Sequence, residues 1–146
     1  MGNAYRIMES GHVIEVWVGR ITKEEFFSHE RQQWLDPKLP SAPQFLVDFT
    51  RATVEPSIGD QDIQEFVDLY HQYSDKAAGS RAAIVAGKEF DKASLYGRLA
   101  EREKVNVIVF TTIHTACVWL GVDETEIREW VERTQAELLG ALPSGG

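Results

Sequence analysis

Polar and charged residues stand at the ends of three apolar segments that have the length of β-strands. Asp48 and Thr50 close the first segment, Lys88 follows the second and Thr111 follows the third. Because ligands of open α/β sheets bind outside the carboxyl ends of the strands, these residues are expected to share one rim. They would offer a ligand a carboxylate, hydroxyl groups and two cations, beside the free amides of helix starts. The predicted ligand-binding residues are Asp48, Thr50, Arg51, Ser57, Gly87, Lys88, Thr111 and Thr112.

Asp48 also has a structural interpretation. An acid that follows a buried strand needs a partner for its charge, and loop amides or Arg51 could supply one. A separate hypothesis is a pocket lined by aromatic side chains of the helices, although core packing alone explains most such sets. The aromatic residues concerned are Trp17, Phe49, Phe66, Tyr70, Tyr96 and Trp119.

Motifs for catalysis and metal binding are absent from the sequence. It contains no Gly-x-Ser-x-Gly elbow, P-loop or dinucleotide fingerprint, which predicts a protein that is not an enzyme. A catalytic pair assembled from distant residues stays open as an alternative. No histidine pairs with another His or Cys at metal-ligand spacing and no Cys-x-x-Cys occurs, so no structural zinc and no cofactor are expected. The four histidines are His12, His29, His71 and His114.

Composition predicts one cytoplasmic domain. A chain of 146 residues fits a single domain, 1–146. Its net charge of −8 and the absence of a basic run argue against nucleic acid as a partner. No apolar run is long enough for membrane insertion. Cys117 is the only cysteine, which suits a reducing compartment, and its apolar neighbours favour a packing role.

The pattern of apolar residues predicts an α/β fold. Two β-rich segments, Tyr5–Met8 and Val13–Val18, flank Ser10-Gly11 and indicate a hairpin. Three later segments are apolar on both faces, as in strands covered on both sides. Helices alternate with them, which implies parallel crossovers and a mixed, mainly parallel sheet of about five strands with helices packed on it. The later strands are predicted at 45–49, 82–86 and 105–110, with a loop over 50–59.

Two capping boxes mark helix starts. The first, Thr22 to Glu25, opens a helix whose apolar side is assigned to Phe26, Phe27, Trp34 and Leu35. The second begins at Asp123 and opens a C-terminal helix carrying Ile127, Trp130, Val131 and Leu138. This helix either covers the sheet or forms a subunit contact through Ile127, Trp130 and Leu138 in a possible homodimer.

An ordered set of segments resembles the SpoIIAA-like STAS/SEC14 domain family of small bacterial proteins. The resemblance covers a core of about residues 4–121, and the helix over 123–142 extends past the usual family end. It implies a non-enzymatic domain whose relatives act in partner-switching signalling or bind apolar or small ligands. The segments that carry it are 19–26, 45–50, 81–86, 93–101, 109–110 and 116–120.

The resemblance also bears on Ser57. Anti-sigma-factor antagonists of the wider group carry a phosphorylatable serine in an Asp-Ser-Ser/Thr-Gly segment after the central strand. Pro56-Ser57-Ile58-Gly59 stands at the matching spacing and keeps only the serine and the glycine. Ser57 is therefore either a phosphorylation site or the N-cap of the next helix.

These observations lead to two functional hypotheses. The first is a bacterial STAS-like module that docks to an unknown protein partner or holds a small apolar ligand. The second is an anti-sigma-factor-antagonist-like regulator switched by phosphorylation of Ser57, where added negative charge would disrupt docking.

Overall fold

The computed structural model describes residues 2–142 as five strands and six helices. Short 3-10 turns follow α2 and α4 and lengthen them. None of the helices within 2–142 combines the length and the apolar character needed to cross a membrane. The bounds in chain order are β1 Asn3–Ile7, β2 Val13–Ile21, α1 Lys23–Trp34, β3 Gln44–Val54, α2 Asp60–Asp68, α3 Ser74–Ala77, β4 Arg81–Ala86, α4 Phe90–Ala100, β5 Asn106–Phe110, α5 Ile113–Leu120 and α6 Glu124–Ala141.

The strands form one mixed sheet in the order β1-β2-β3-β4-β5. β1 pairs antiparallel with β2 in the predicted hairpin, and the remaining neighbours are parallel. Val47 of β3 lies opposite Ile84 of β4 at the centre of the sheet. The predicted fold class, a mainly parallel α/β sheet with a leading hairpin, is confirmed.

β3 is longer than predicted. It runs to Val54, so Thr50 and Arg51 lie in the strand and the prediction of a loop from residue 50 was wrong. The extension pairs with the second half of β2, beyond the end of β4. The register shifts between Val16 and Val18, which indicates a β-bulge that turns this part of the strand pair.

Helices cover both faces of the sheet. Ile14, Leu46 and Val85 point to α5 and α6 and are at least 98% buried there, together with Cys117. The neighbouring residues along the same strands, such as Phe45 and Ala82, face the layer of α1, α2 and α4. Successive strand residues point to opposite faces, so a sheet with two helical layers needs the unbroken apolar runs seen here.

The C-terminal helix α6 packs on the sheet. Ile127 and Val131 are at least 99% buried in the core beneath it, so Ile127 is closed to the proposed subunit contact. Trp130 and Leu138 pack against the same core while half-buried. The carboxylate of Asp123 caps the helix by accepting the N–H of Thr125 at 2.8 Å, as the sequence predicted.

Candidate functional site

The predicted strand-end residues divide into two groups. Asp48, Thr50, Thr111 and Thr112 border a shallow cleft of about 370 Å³ that α6 closes on one side. Gln135 of α6 completes the cleft together with Arg128 and Glu132.

The other four predicted site residues are exposed and lie outside this cleft. Arg51, Gly87 and Lys88 are solvent-facing. None of them borders this cleft or the second cavity, which lies on the opposite face of the sheet. Ser57 is exposed in the turn closed by the hydrogen bond from Ile58 N–H to the Glu55 carbonyl at 2.9 Å. The N-cap of α2 is Gly59, so the prediction of Ser57 as a helix cap was wrong. Ser57 therefore precedes the N-cap position, from which a side-chain oxygen accepts an N–H of the first turn of the helix.

Asp48 ties the sheet to α6. Its side chain is 1% exposed, and Oδ1 accepts the Thr50 N–H at 3.1 Å, the Thr50 hydroxyl at 2.8 Å and Gln135 Nε2 at 3.0 Å. Burial raises the pKa of Asp48, and the hydrogen bonds from Thr50 and Gln135 oppose the rise. These contacts fit the structural interpretation: Thr50 and Gln135 donate hydrogen bonds to Oδ1, and the charge of Arg51 also favours the carboxylate. The second oxygen, Oδ2, is buried without a hydrogen-bond partner among the described residues.

A second cavity lies on the opposite face of the sheet, beneath α1, α2 and α4. It measures about 130 Å³, and most of its wall is apolar or aromatic. The lining residues are Glu15, Trp17, Ile21, Thr22, Phe26, Glu30, Gln33, Trp34, Phe45, Val47, Phe49, Val54, Ile58, Ile63, Phe66, Tyr70, Ala82, Ile84, Glu89, Lys92, Ala93 and Tyr96.

This cavity is open to solvent. Val47 and Phe49 belong to the central strand and face a helical layer, yet both are only half-buried. Between Phe90 and Ala100 of α4, only Ala100 is fully buried. A central strand of a doubly covered sheet is normally sealed, so the exposure of Val47 and Phe49 shows that this helical layer leaves the cavity partly open.

A buried charged cluster lies at one side of the cavity. Glu15 Oε1 lies 2.9 Å from His29 Nε2 and accepts the Trp17 indole N–H at 3.1 Å. Its second oxygen accepts Gln33 Nε2 at 2.9 Å. His29 Nδ1 is 3.1 Å from Asn3 Oδ1. Every oxygen of Glu15 is therefore engaged.

Glu15 and His29 form a charged pair. Burial alone would raise the pKa of Glu15, but the charge of His29 and the hydrogen bonds of His29, Gln33 and Trp17 outweigh it and lower that pKa. Burial likewise works against the charged form of His29, and the Glu15 carboxylate overcomes it and raises the His29 pKa. The two shifts have the signs expected of a carboxylate and an imidazolium that stabilise each other.

Glu30 behaves differently, although it lines the same cavity. Burial, reinforced by the nearby Glu15 carboxylate, raises the pKa of Glu30 to about 7, and His29 and Trp34 oppose this rise. No cationic group within residues 2–142 lies within ion-pair distance of it, in contrast to Glu15. Glu30 is thus a carboxyl group that exchanges its proton near neutral pH.

Two further polar groups border the cavity near Glu30. The hydroxyls of Tyr70 and Tyr96 are hydrogen-bonded to each other, and burial raises both pKa values. The Trp34 side chain is 97% buried, and its indole N–H interacts with the Glu30 carboxyl group and lowers the pKa of that group, although no close hydrogen bond forms. Buried polar groups are nearly always satisfied, so Glu30 is the group to which this buried N–H turns.

The sequence pointed to part of this cavity. Of the six aromatic residues proposed for a pocket, all but Trp119 line it. Trp119 lies on the other face, where the Arg81 guanidinium stacks over its ring at 4.1 Å. No group of three or more His, Cys, Asp or Glu side chains in 2–142 is arranged to hold a metal ion.

The sequence analysis did not predict the charged cluster around Glu15 and His29, although the sequence contains a signal for it. Glu15 interrupts the apolar run Val13–Val18. In α1, His29, Glu30 and Gln33 stand at positions i+3, i+4 and i+7 from Phe26, which is the spacing of an inward-facing stripe. The apolar side had instead been assigned partly to Leu35, which is 69% exposed.

Comparison with known proteins places the architecture. The chain matches no protein-family model, and no curated protein matches it. Among solved structures it is similar to an uncharacterized protein of the DUF3478 family, described as having a SpoIIAA-like fold, from Shewanella loihica PV-4. The two are 19% identical, the match covers 82% of this chain and 94% of that one, and the TM-score is 0.53. With the sheet order and the helical layers described above, this similarity establishes that the chain has a SpoIIAA-like fold.

Proposed function

We propose that this chain is a binding module that holds a small, mainly apolar ligand in the cavity beneath α1, α2 and α4. The observation that carries the proposal is that the central strand, at Val47 and Phe49, remains open to solvent inside this apolar cavity. We call the cavity beneath α1, α2 and α4 the chamber. Ligand sites of proteins are concave, largely apolar and equipped with a few converging polar groups. This chamber has both properties.

The strand-end cleft is the weaker candidate. Its one deeply buried carboxylate, Asp48, accepts three hydrogen bonds from Thr50 and Gln135, all of them at Oδ1, which leaves only Oδ2 without a partner among the described residues. In this proposal, Asp48 fastens α6 to the sheet.

The proposal is one of binding without chemistry. Glu15 and His29 neutralise each other, and the remaining donors to Glu15 come from Trp17 and Gln33. A carboxylate paired with an imidazolium and held by two further donors is poorly placed to accept a substrate proton. The pair instead supports the wall of the chamber.

Filling the chamber tests the proposal. Ala93 of α4 lines it, whereas Ala136 of α6 is exposed on the far side of the sheet. We expect 1-octanol at tenfold excess over its Kd to stabilise the wild type and Ala136→Phe by about 1.4 kcal/mol. Ala93→Phe should respond far less, because the new ring occupies the chamber. Thermal unfolding with and without 1-octanol measures this. An equal response of Ala93→Phe, or no response of the wild type, would reject the chamber as the site.

A second candidate function is the phosphorylation switch at Ser57. The observation in its favour is that Ser57 is exposed at a turn, where a kinase could reach it. Against it, Asp60 and Asp62 stand in the first turn of α2 close by, and a phosphate would add to their negative charge. Intact mass after incubation with ATP, magnesium and an anti-sigma kinase separates the two functions, with Ser57→Ala as the control. A chain that gains no phosphate is not switched in this way.

A further inference from the structure

We infer that the chamber selects ligands that carry an ammonium group on an apolar body, with the ammonium beside Glu30. The inference rests on the proposed function, since it names the chemical class of the ligand for the same cavity. It follows from which polar groups in the chamber are satisfied and which are not.

Glu15 is not available to a ligand. Its two oxygens are taken by His29, Trp17 and Gln33, at distances between 2.9 and 3.1 Å. The Glu15–His29 pair has no net charge when both groups are ionised. An incoming charged group therefore finds no uncompensated partner in it.

Glu30 has the opposite character. It lines the chamber, and none of the salt bridges within residues 2–142 includes it. The charge of His29 acts on Glu30, but His29 is paired with Glu15. An ionised carboxyl group without a counter-charge is costly in apolar surroundings. A ligand ammonium would supply the missing charge.

The surroundings of Glu30 suit a cation. The titratable groups that face it are Glu15 of β2, His29 of α1, Tyr70 after α2 and Tyr96 of α4. With His29 balancing Glu15, ionised Glu30 leaves the inner chamber with one net negative charge. Half-buried Glu89 and Lys92, at the start of α4, also line the chamber and contribute one negative and one positive charge. A carboxylate ligand would be repelled at the inner end, and an ammonium would be attracted.

Aromatic rings strengthen the preference. Trp34, Tyr70, Tyr96 and Phe66 border the chamber, and aromatic faces attract ammonium groups. The 97% buried Trp34 indole N–H interacts with the Glu30 carboxyl group and favours its ionised form, which a ligand ammonium would pair with. A carboxylate beside aromatic rings is the combination that recognises amines.

Three probes of equal chain length test the inference: 1-octylamine, 1-octanol and octanoate. We expect 1-octylamine to bind at least tenfold more tightly than 1-octanol at pH 8, and its advantage to shrink at pH 5.5, where Glu30 is protonated. Octanoate should bind most weakly. Glu30→Gln should remove the advantage of the amine at pH 8, whereas Glu24→Gln, an exposed residue on the same helix, should keep it. Isothermal titration calorimetry on the folded proteins measures all of these affinities.

The outcomes distinguish the preference for ammonium ligands from the proposed binding function on which it rests. If 1-octanol and 1-octylamine bind equally to the wild type, the inference is wrong and the apolar binding site stands. If no probe binds, the proposed function fails as well. If octanoate binds best and Lys92→Gln abolishes this, that lysine captures anions and the assignment to Glu30 is overturned.

Discussion

Replacing His29 by leucine is expected to lower the free energy of unfolding by about 3–5 kcal/mol near pH 6. The substitution leaves the Glu15 carboxylate in a buried position with its hydrogen bonds to Trp17 and Gln33 but without its counter-charge. Urea denaturation measures the change.

The cost should depend on pH in a defined direction. The lowered pKa of Glu15 contributes stability above its ordinary value of 4.5, and this is lost as the pH falls through the folded-state pKa. The raised pKa of His29 contributes fully below 6.5 and is lost as the pH rises through the folded-state pKa. The gap between the wild type and His29→Leu should therefore be widest between about pH 4.5 and 6.5 and narrower at pH 9.

A matched pair on the surface provides the control. His71 lies 3.0 Å from Glu103 with its side chain 72% exposed, so His71→Leu should change stability by no more than about 0.5 kcal/mol. Removing both partners, as Glu15→Leu with His29→Leu, should recover part of the loss, because no uncompensated charge remains. If His29→Leu cost no more than His71→Leu, the buried pair would not hold this part of the fold together.

Glu30→Gln is expected to act in the opposite direction and to stabilise the protein above neutral pH. The folded state keeps the Glu30 proton up to about pH 7, whereas the unfolded chain releases it near 4.5. The unfolded state therefore binds fewer protons between these values, and the stability of the wild type falls as the pH rises through them. Glutamine mimics the protonated acid and escapes this loss.

The expected gain at pH 8 is about 1–3 kcal/mol, reduced from the full linkage value because Glu30 is only half-buried. At pH 4 the wild type and Glu30→Gln should be equally stable. Denaturant titrations at the two pH values measure the difference, with Glu24→Gln as the exposed control on the same helix. A constant difference at both pH values would mean that Glu30 does not titrate in the chamber.

Much of the fold was predictable because its signals are local. The apolar runs around Val47 and Ile84 can be buried only between two helical layers, and the hairpin is marked by Ser10-Gly11. The length of β3 was not predictable in this way. Its last residues are held by the second half of β2, a partner that the local pattern of residues 50–54 does not reveal.

The candidate site was harder to predict because a chamber is a property of several elements together. The aromatic residues Phe66, Tyr70 and Tyr96 have the same spacing whether their helices meet or leave a gap. The general rule for strand ends pointed to Asp48, but Gln135, which is 87 residues away along the chain, satisfies it. The sequence does contain a signal for Glu15 and for the polar stripe of α1. These polar and charged residues stand at positions where the strand and helix periods call for apolar residues.

The four tryptophans offer the most direct test of the binding site. Trp17 and Trp34 line the chamber, whereas Trp119 and Trp130 belong to the core on the opposite face of the sheet. In a titration with 1-octanol followed by ¹H–¹⁵N NMR, the indole signals of Trp17 and Trp34 should shift and those of Trp119 and Trp130 should stay, with assignments made by Trp→Phe variants. Shifts confined to Trp119 and Trp130, or no shift at saturating 1-octanol, would contradict a ligand site beneath α1, α2 and α4.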